Sequence, residues 1–397
     1  MKRESTVFEL NRRGFLRAAA TAVGLAGSRA GLTAAEQSAP RIRMGVDAYS
    51  LGAQNWTPFQ TLDWASTLKV NMVHFSEVRF LGSSKWQEAL AADNLKRIRD
   101  RAAELQIDLE IGMRSICPTA ADFQNAQNAD PTLGTADEQI ARMAVAAKTI
   151  GSPIVRCVQG TQADRRTGLE KHIAETVKVV KRNRSRLVDA GVKLAIENHA
   201  GDMQGRELRG LIEEAGPDCI GACVDTGNAM WTIEDPHVTV ETLAPYALTS
   251  HFRDSYVFNS PQGIASQWTR MGEGNVGIEE IIKNYVAKCP GKAVSLEVIV
   301  QGNWRLFNYR DPAAWEIFQS VPASGFARFL ALAEKGVPKE LPPPGQGRGA
   351  GAGAAGRGTQ GPPAGAGRGT PNPEAQARNL ADVEASVRWT QNVIGRL

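Results

Sequence analysis

The stretch that decides the fold is Val192–Gly201, VKLAIENHAG, an apolar run ending in a carboxylate, an amide and an imidazole. Three later runs end alike: Ile220–Asn228 (IGACVDTGN), Leu248–Ser255 (LTSHFRDS) and Ala293–Val300 (AVSLEVIV). Each reads as a short buried strand with a metal-competent side chain near its C-terminal end: Glu197, Asp225, His251 and Glu297. Side chains in a strand alternate between two faces. If these four point inward, so do Ala195, Cys223, Thr249 and Ser295, all small. Leu194, Ile196, Val224, Phe252, Leu296 and Val298 then point outward, toward a layer of helices. The pattern predicts a parallel barrel, tightly filled below and polar at its C-terminal rim.

Upstream of this stretch, from Arg41 onward, strand-like and helix-like runs alternate, as in an α/β fold built from βα repeats, a (β/α)8 TIM barrel. Strands are expected at Arg43–Ser50, Asn71–Val78, Asp108–Ser115 and Pro153–Gly160, completing a set of eight. Helical spacing follows them, as in Leu95, Ile98, Ala102 and Leu105, or Ile173, Val177, Val180 and Leu187. The barrel is assigned to residues 41–337. Residues 338–373 form a Gly/Pro-rich insert too poor in apolar area to order itself. Leu380, Val383, Val387 and Ile394 then mark a C-terminal helix, 374–397, that returns to pack on the barrel.

Residues 1–40 read as an export signal and linker. NRRGFLR at Asn11–Arg17 is a twin-arginine pattern, and Ala18–Ala26 is Ala-rich and too short to span a bilayer as a mature helix. Ser28-Arg29-Ala30 offers a small-x-small cleavage site, with Ala34 and Ala35 as alternatives. The twin-arginine machinery exports folded proteins, so a periplasmic address with metal acquired beforehand is the expectation. No membrane segment is expected in the mature form.

The formal charge of +4 is carried by the ends of the chain. Setting aside residues 1–40, with six Lys/Arg and three Asp/Glu, and 341–373, with three Arg, leaves 37 basic against 39 acidic residues. That balance offers no basic field for nucleic acid. The five cysteines, Cys117, Cys157, Cys219, Cys223 and Cys289, show no metal-finger spacing and read as buried thiols, with a disulfide left open. Oligomeric state is also left open, a homo-oligomer included.

Taken in order, IENH at Glu197, DTGN at Asp225, HFRD at His251, GEGNVG at Gly272–Gly277 and SLEV at Glu297 resemble the xylose isomerase-like barrels, often labelled sugar phosphate isomerases/epimerases. The resemblance covers Arg41–Lys335 and the C-terminal helix. It implies that Glu197, Asp225, His251 and Glu297 bind one divalent cation, usually Mn²⁺, with Mg²⁺, Co²⁺ or Zn²⁺ as alternatives. Three carboxylates and one imidazole form a hard donor set that agrees with this. The resemblance further implies that Glu197 and Glu297 handle protons on opposite faces of a sugar through an enediolate.

Two departures stand out. Many epimerases of this family carry a substrate-contacting His three residues after the metal Asp, where this chain has Asn228, which cannot titrate. Conversely His199, two residues past Glu197 on the same face, is positioned either as an acid or base or as a loop cap. Glu77 matches a frequent family carboxylate and is read as a sugar ligand or an ion-pair partner. Arg156, Arg253 and Arg270 at strand ends are candidate donors to substrate oxygens. Trp56 and Trp304, like Trp231 and Trp268, fall in predicted loops at the rim as sugar-stacking candidates or loop packing. His74, His172 and His237 are assigned no chemistry.

These readings give a metal-dependent isomerase or epimerase acting on a small carbohydrate. A periplasmic address and the lack of a Gly-rich phosphate cradle favour an unphosphorylated substrate. The alternatives are a metal-dependent lyase on keto-glycosides with His199 as acid/base, and a non-catalytic sugar-binding barrel. An endonuclease IV-like phosphodiesterase would need more His ligands than five histidines, only two of them near the rim, supply.

Overall fold

The computed structural model describes residues 42–341 and 372–397. The signal segment and most of the 338–373 insert lie outside the described residues. Eight short parallel strands form the central sheet. Seven follow one another along the chain: β1 (Met44–Asp47), β2 (Met72–Phe75), β3 (Asp108–Ser115), β4 (Ile154–Val158), β5 (Lys193–Glu197), β6 (Ile220–Asp225) and β7 (Ala247–His251). An antiparallel hairpin comes next, β8 (Asp254–Ser260) with β9 (Gly263–Thr269). The eighth barrel strand, β10 (Val294–Leu296), pairs with β1, and β11 (Arg305–Phe307) adds to β9 as the third strand of the small side sheet. The barrel closes just past β7. There Phe252 N–H donates to Ser295 O at 2.7 Å and Glu297 N–H donates to Phe252 O at 3.1 Å.

The two faces sort as the alternation requires. Ala195, Cys223, Thr249 and Ser295 are fully buried, and Ala195 and Cys223 pack with Ile154 in a small cluster of their own. Leu194, Ile196, Val224, Phe252, Leu296 and Val298 belong instead to the large core shared with the helices. Small side chains inside let the barrel narrow beneath its mouth, which leaves the strand ends as the place where larger polar groups fit.

Strand ends are where sequence and structure differ. β1 stops at Asp47 because its carboxylate accepts the Tyr49 N–H at 2.7 Å and caps the 3-10 turn Ala48–Gln54. The β8–β9 hairpin was not expected, although two alternating runs flank the turn residues Ser260–Gly263. Gly263 has φ +111°, and a Cβ there would lie 2.3 Å from Phe307 O, so the turn requires glycine.

The C-terminal helix Pro373–Ile394 lies against the 48–54 turn. Gln54 Nε2 donates to Gln376 O at 2.8 Å and Asn379 Nδ2 donates to Ser50 O at 2.9 Å, while Val383 and Val387 are fully buried. All five cysteines are buried and free. Among the described residues no helix is long and apolar enough to cross a membrane.

Phe252 carries the closing hydrogen bonds on its backbone and meets Tyr285 edge-on, ring centroids 5.1 Å apart. Phe252→Ala is expected to cost about 3–5 kcal/mol, read as a lowered midpoint in denaturant unfolding. A midpoint within experimental error of the parent would show that closure does not depend on this contact.

Candidate metal centre and its surroundings

Glu197, Asp225 and His251 are the last residues of β5, β6 and β7, and Glu297 immediately follows β10. All four are buried, and one ligand atom from each falls within 4.8 Å of every other. His251 Nδ1 lies 2.9 Å from Glu197 Oε2 and 2.9 Å from Glu297 Oε2. Yet His251 Nδ1 and Asp225 Oδ2 are buried atoms held only by ion-pair contacts at 2.9 Å, with no well-directed hydrogen bond among the described residues. Buried polar atoms are rarely left so. Donors about 2.1 Å from a common octahedral ion sit about 3 Å from one another, so this spacing and these poorly directed contacts fit a divalent cation.

The charges around the cluster point the same way. Arg156 Nε donates to Glu197 Oε2 at 2.7 Å, and Asn228 Nδ2 donates to Glu197 Oε1 at 2.9 Å. Arg253 Nη2 lies 2.9 Å from Asp225 Oδ2 and also contacts Glu297. Burial would raise the Glu197 pKa, but Arg156 and then His251 hold it well below the usual carboxylate range. Burial pushes Asp225 up to about 7, against the pull of Arg253 and with the help of Glu197 and Glu297. Burial would lower His251, but Cys223, Glu197, Glu297 and Asp47 raise it well above its ordinary value. Without a cation the cluster therefore retains protons as substitute positive charge.

Behind His251 lie groups that sequence reasoning passed over. His251 Nε2 is 2.9 Å from Asp47 Oδ2 and 3.0 Å from His74 Nδ1, and Ser76 Oγ donates to Asp47 Oδ1 at 2.7 Å. Burial lowers His74 to about 3, so it is neutral. These contacts hold the imidazole with Nδ1 toward the carboxylates, as outer partners of metal-binding histidines do. The assignment of no chemistry to His74 is corrected accordingly: it orients a candidate ligand. The signal was present in Gly45-x-Asp47, the same small-x-acid spacing as Ala195-x-Glu197.

The remaining candidates separate. His199 is half-buried in the loop after β5, its Nδ1 donating to Gly160 O at 2.9 Å. Burial lowers its pKa, so the ring is neutral with Nε2 as the acceptor nitrogen. Glu77 is engaged by Arg79 at 2.6 Å and Arg114 at 3.6 Å, an ion-paired carboxylate rather than part of the cluster. Arg270 is not brought to the cluster; its Nε pairs with Asp382 of the C-terminal helix at 2.6 Å. Trp56 packs on Trp64, and Trp304 packs on Tyr256 and Phe258 in the side sheet, the loop-packing alternative for both. The tryptophans that adjoin it are Trp231 and Trp268, stacked 4.8 Å apart with planes 5° from parallel, and Arg253 lies 4.2 Å over Trp268.

Against known proteins, the model of the xylose isomerase-like TIM barrel family matches residues 62–315. A curated relative, 3-oxo-isoapionate decarboxylase of Pectobacterium atrosepticum, is 21% identical over 176 residues, covering 44% of this chain and 54% of that protein. The chain thus spans about half the length of this relative. Among solved structures, D-psicose 3-epimerase with D-tagatose from Clostridium cellulolyticum H10 is similar at TM-score 0.49 and 11% identity, covering 74% of this chain and 96% of that one. A xylose isomerase-like TIM barrel protein from Mycobacterium smegmatis in complex with magnesium gives TM-score 0.49 and 12% identity, with the same 74% and 96% coverage. On the match over residues 62–315, this chain belongs to the xylose isomerase-like TIM barrel family.

Proposed function

We propose that the chain is a divalent-metal-dependent isomerase or epimerase that moves a proton at a carbon next to a carbonyl of an unphosphorylated sugar or sugar derivative. The observation that carries this reading is the convergence of Glu197, Asp225, His251 and Glu297, with His251 Nδ1 and Asp225 Oδ2 making ion-pair contacts but no well-directed hydrogen bond. Mn²⁺ suits the donor set, with Mg²⁺, Co²⁺ and Zn²⁺ as alternatives. When bound, the ion supplies positive charge that stabilises an enediolate near neutral pH.

The chain's own groups divide the remaining work. Burial would raise Glu297, but Arg253 and then His251 hold it down, so both glutamates are ionised and able to accept a carbon-bound proton. One removes the proton; the other, after taking up a proton from solvent, returns it to the opposite face, and the first then releases its proton to solvent, which restores both carboxylates. Arg156 and Asn228 fix the Glu197 carboxylate from two sides. Asn228 positions without titrating.

A second reading, elimination at a keto-glycoside, is favoured by one feature: neutral His199 presents Nε2 as a base two residues past Glu197. The chain is further proposed to be exported to the periplasm through the twin-arginine pathway, with a small carbohydrate as its substrate.

Metal binding requires Asp225 and His251 to lose their protons, so Mn²⁺ affinity is expected to rise with pH through about 7. Calorimetric titration between about pH 6 and 8 checks this, with a gain of about tenfold per pH unit for each proton displaced. A pH-independent affinity contradicts the ligand set. Glu297→Gln is expected to slow proton transfer by about 10²–10⁴-fold, read as loss of solvent deuterium uptake into free ketoses or 3-keto-glycosides. Unchanged uptake, with Mn²⁺ still bound, contradicts the catalytic assignment of Glu297, and a parent protein that binds sugar without any uptake is a binding protein. His199→Gln separates the two catalytic readings: epimer formation that survives it without bond cleavage eliminates the lyase.

A further inference from the structure

Arg305 differs from the arginines of the metal cluster. Arg156 and Arg253 each face carboxylates that raise their pKa values against the effect of burial. Arg305 has no acidic partner among the described residues. Burial alone lowers it to about 10, which leaves it cationic at neutral pH. Its one described hydrogen bond is donated from Nη2 to the neutral Gln162 Oε1 at 2.6 Å, and its guanidinium carbon lies 4.1 Å over the Trp231 ring. A guanidinium has five N–H donors in a planar fork, so most of its hydrogen-bonding capacity is uncommitted.

Its position ties it to the mouth of the barrel. Arg305 opens β11 and pairs with Ser266 of β9, two residues before Trp268, so β9 presents Trp268 on the same side as that pair. Trp268 stacks on Trp231, donates Nε1–H to Gly227 O at 2.9 Å, and carries Arg253 on its other face. Arg305 and Arg253 therefore cap the two ends of one tryptophan pair. Gln162 in turn donates its backbone N–H to Ala200 O at 2.9 Å, beside His199, which itself reaches Gly160 O. The loops after β4, β5 and β6 thus place Arg305 at the rim, one aromatic stack removed from the candidate ligands.

We propose that Arg305, steered by Gln162 and Trp231, binds a carboxylate at the far end of the sugar substrate or on a unit attached to it, so that the substrate is a sugar acid. This deepens the proposed function and rests on it for the location of the reacting carbons. A carboxylate is the matching anion because the planar fork pairs with it through two parallel hydrogen bonds, and a single cation balances a single negative charge. A phosphate dianion would call for further donors. Held at that end, the acid group fixes which way the sugar enters, with the carbonyl toward Glu197 and Glu297.

The test is calorimetric binding to the Mn²⁺-loaded protein with two pairs of probes, D-fructose with D-fructuronate and cellobiitol with cellobionate, and with D-fructose 6-phosphate as a fifth. Within each pair the acidic member replaces a hydroxymethyl group with a carboxylate. At least one acid is expected to bind tenfold or more tighter than its neutral counterpart, and Arg305→Gln is expected to abolish that preference while leaving Mn²⁺ affinity unchanged. Arg305→Lys keeps the charge without the fork and should retain part of the preference, which preserves the test if the glutamine variant fails to fold. The inference is overturned if no acid outcompetes its neutral partner, if the preference survives Arg305→Gln, or if D-fructose 6-phosphate binds tighter than D-fructuronate in an Arg305-dependent way. A chain that prefers acids through Arg305 yet binds no Mn²⁺ would support the inference and sink the metal-dependent function, so the two fail separately.

Discussion

Everything at the mouth of this barrel depends on one electrostatic constraint: more negative than positive charge is gathered where water is scarce. Glu197, Asp225, Glu297 and Asp47 are buried around His251, and two guanidiniums, from Arg156 and Arg253, face them. Leaving an ionised group buried and uncompensated costs several kcal/mol. The chain lowers that cost with the two arginines and with protons retained on Asp225 and His251, and a divalent cation would take the place of those protons. The strands are short and the inner side chains beneath are small, so the donors have a rigid base from which to converge.

The same rigidity explains why the surrounding groups are polar networks and not apolar packing. Asp47 and His74 meet the back of His251, and Ser76 meets Asp47. Lower in the barrel Glu110 accepts a hydrogen bond from Thr249 Oγ1 at 2.5 Å, and burial pushes its pKa up to about 7. Asp47 and His74 hold the candidate ligand imidazole of His251 in one orientation. Outside the rim, the side sheet of β8, β9 and β11 does comparable work for Arg253, whose guanidinium is held between Trp268 and the carboxylates.

Much of this was legible in the sequence because strand periodicity is local information. Four apolar runs with a small residue two places before a metal-competent one were enough to place Glu197, Asp225, His251 and Glu297 on one rim and to give the barrel. Arg253 and Asn228 were found because they lie within a few residues of those strand ends, and Arg156 because it lies near the end of the neighbouring β4. What was not legible depended on partners distant in sequence. Arg270 is adjacent to the GEGNVG segment, but its acid is Asp382, far along the chain. Trp56 and Trp304 looked equivalent to Trp231 and Trp268, and only the β8–β9 hairpin decides which pair meets the site. Asp47 and His74 were overlooked because attention fell on the ends of later strands, although the β1–β2 register sets the two side by side. Arg305 carried no local mark at all; its distinction is the acid it lacks.

The central claim is that four side chains from four strands share one divalent ion. Anomalous diffraction at the manganese edge, on crystals grown with Mn²⁺, addresses it directly. A single strong peak is expected about 2.2 Å from carboxylate oxygens of Glu197, Asp225 and Glu297 and from His251 Nδ1. A peak held by other residues, or none at this position in crystals that bind the ion elsewhere, would contradict it.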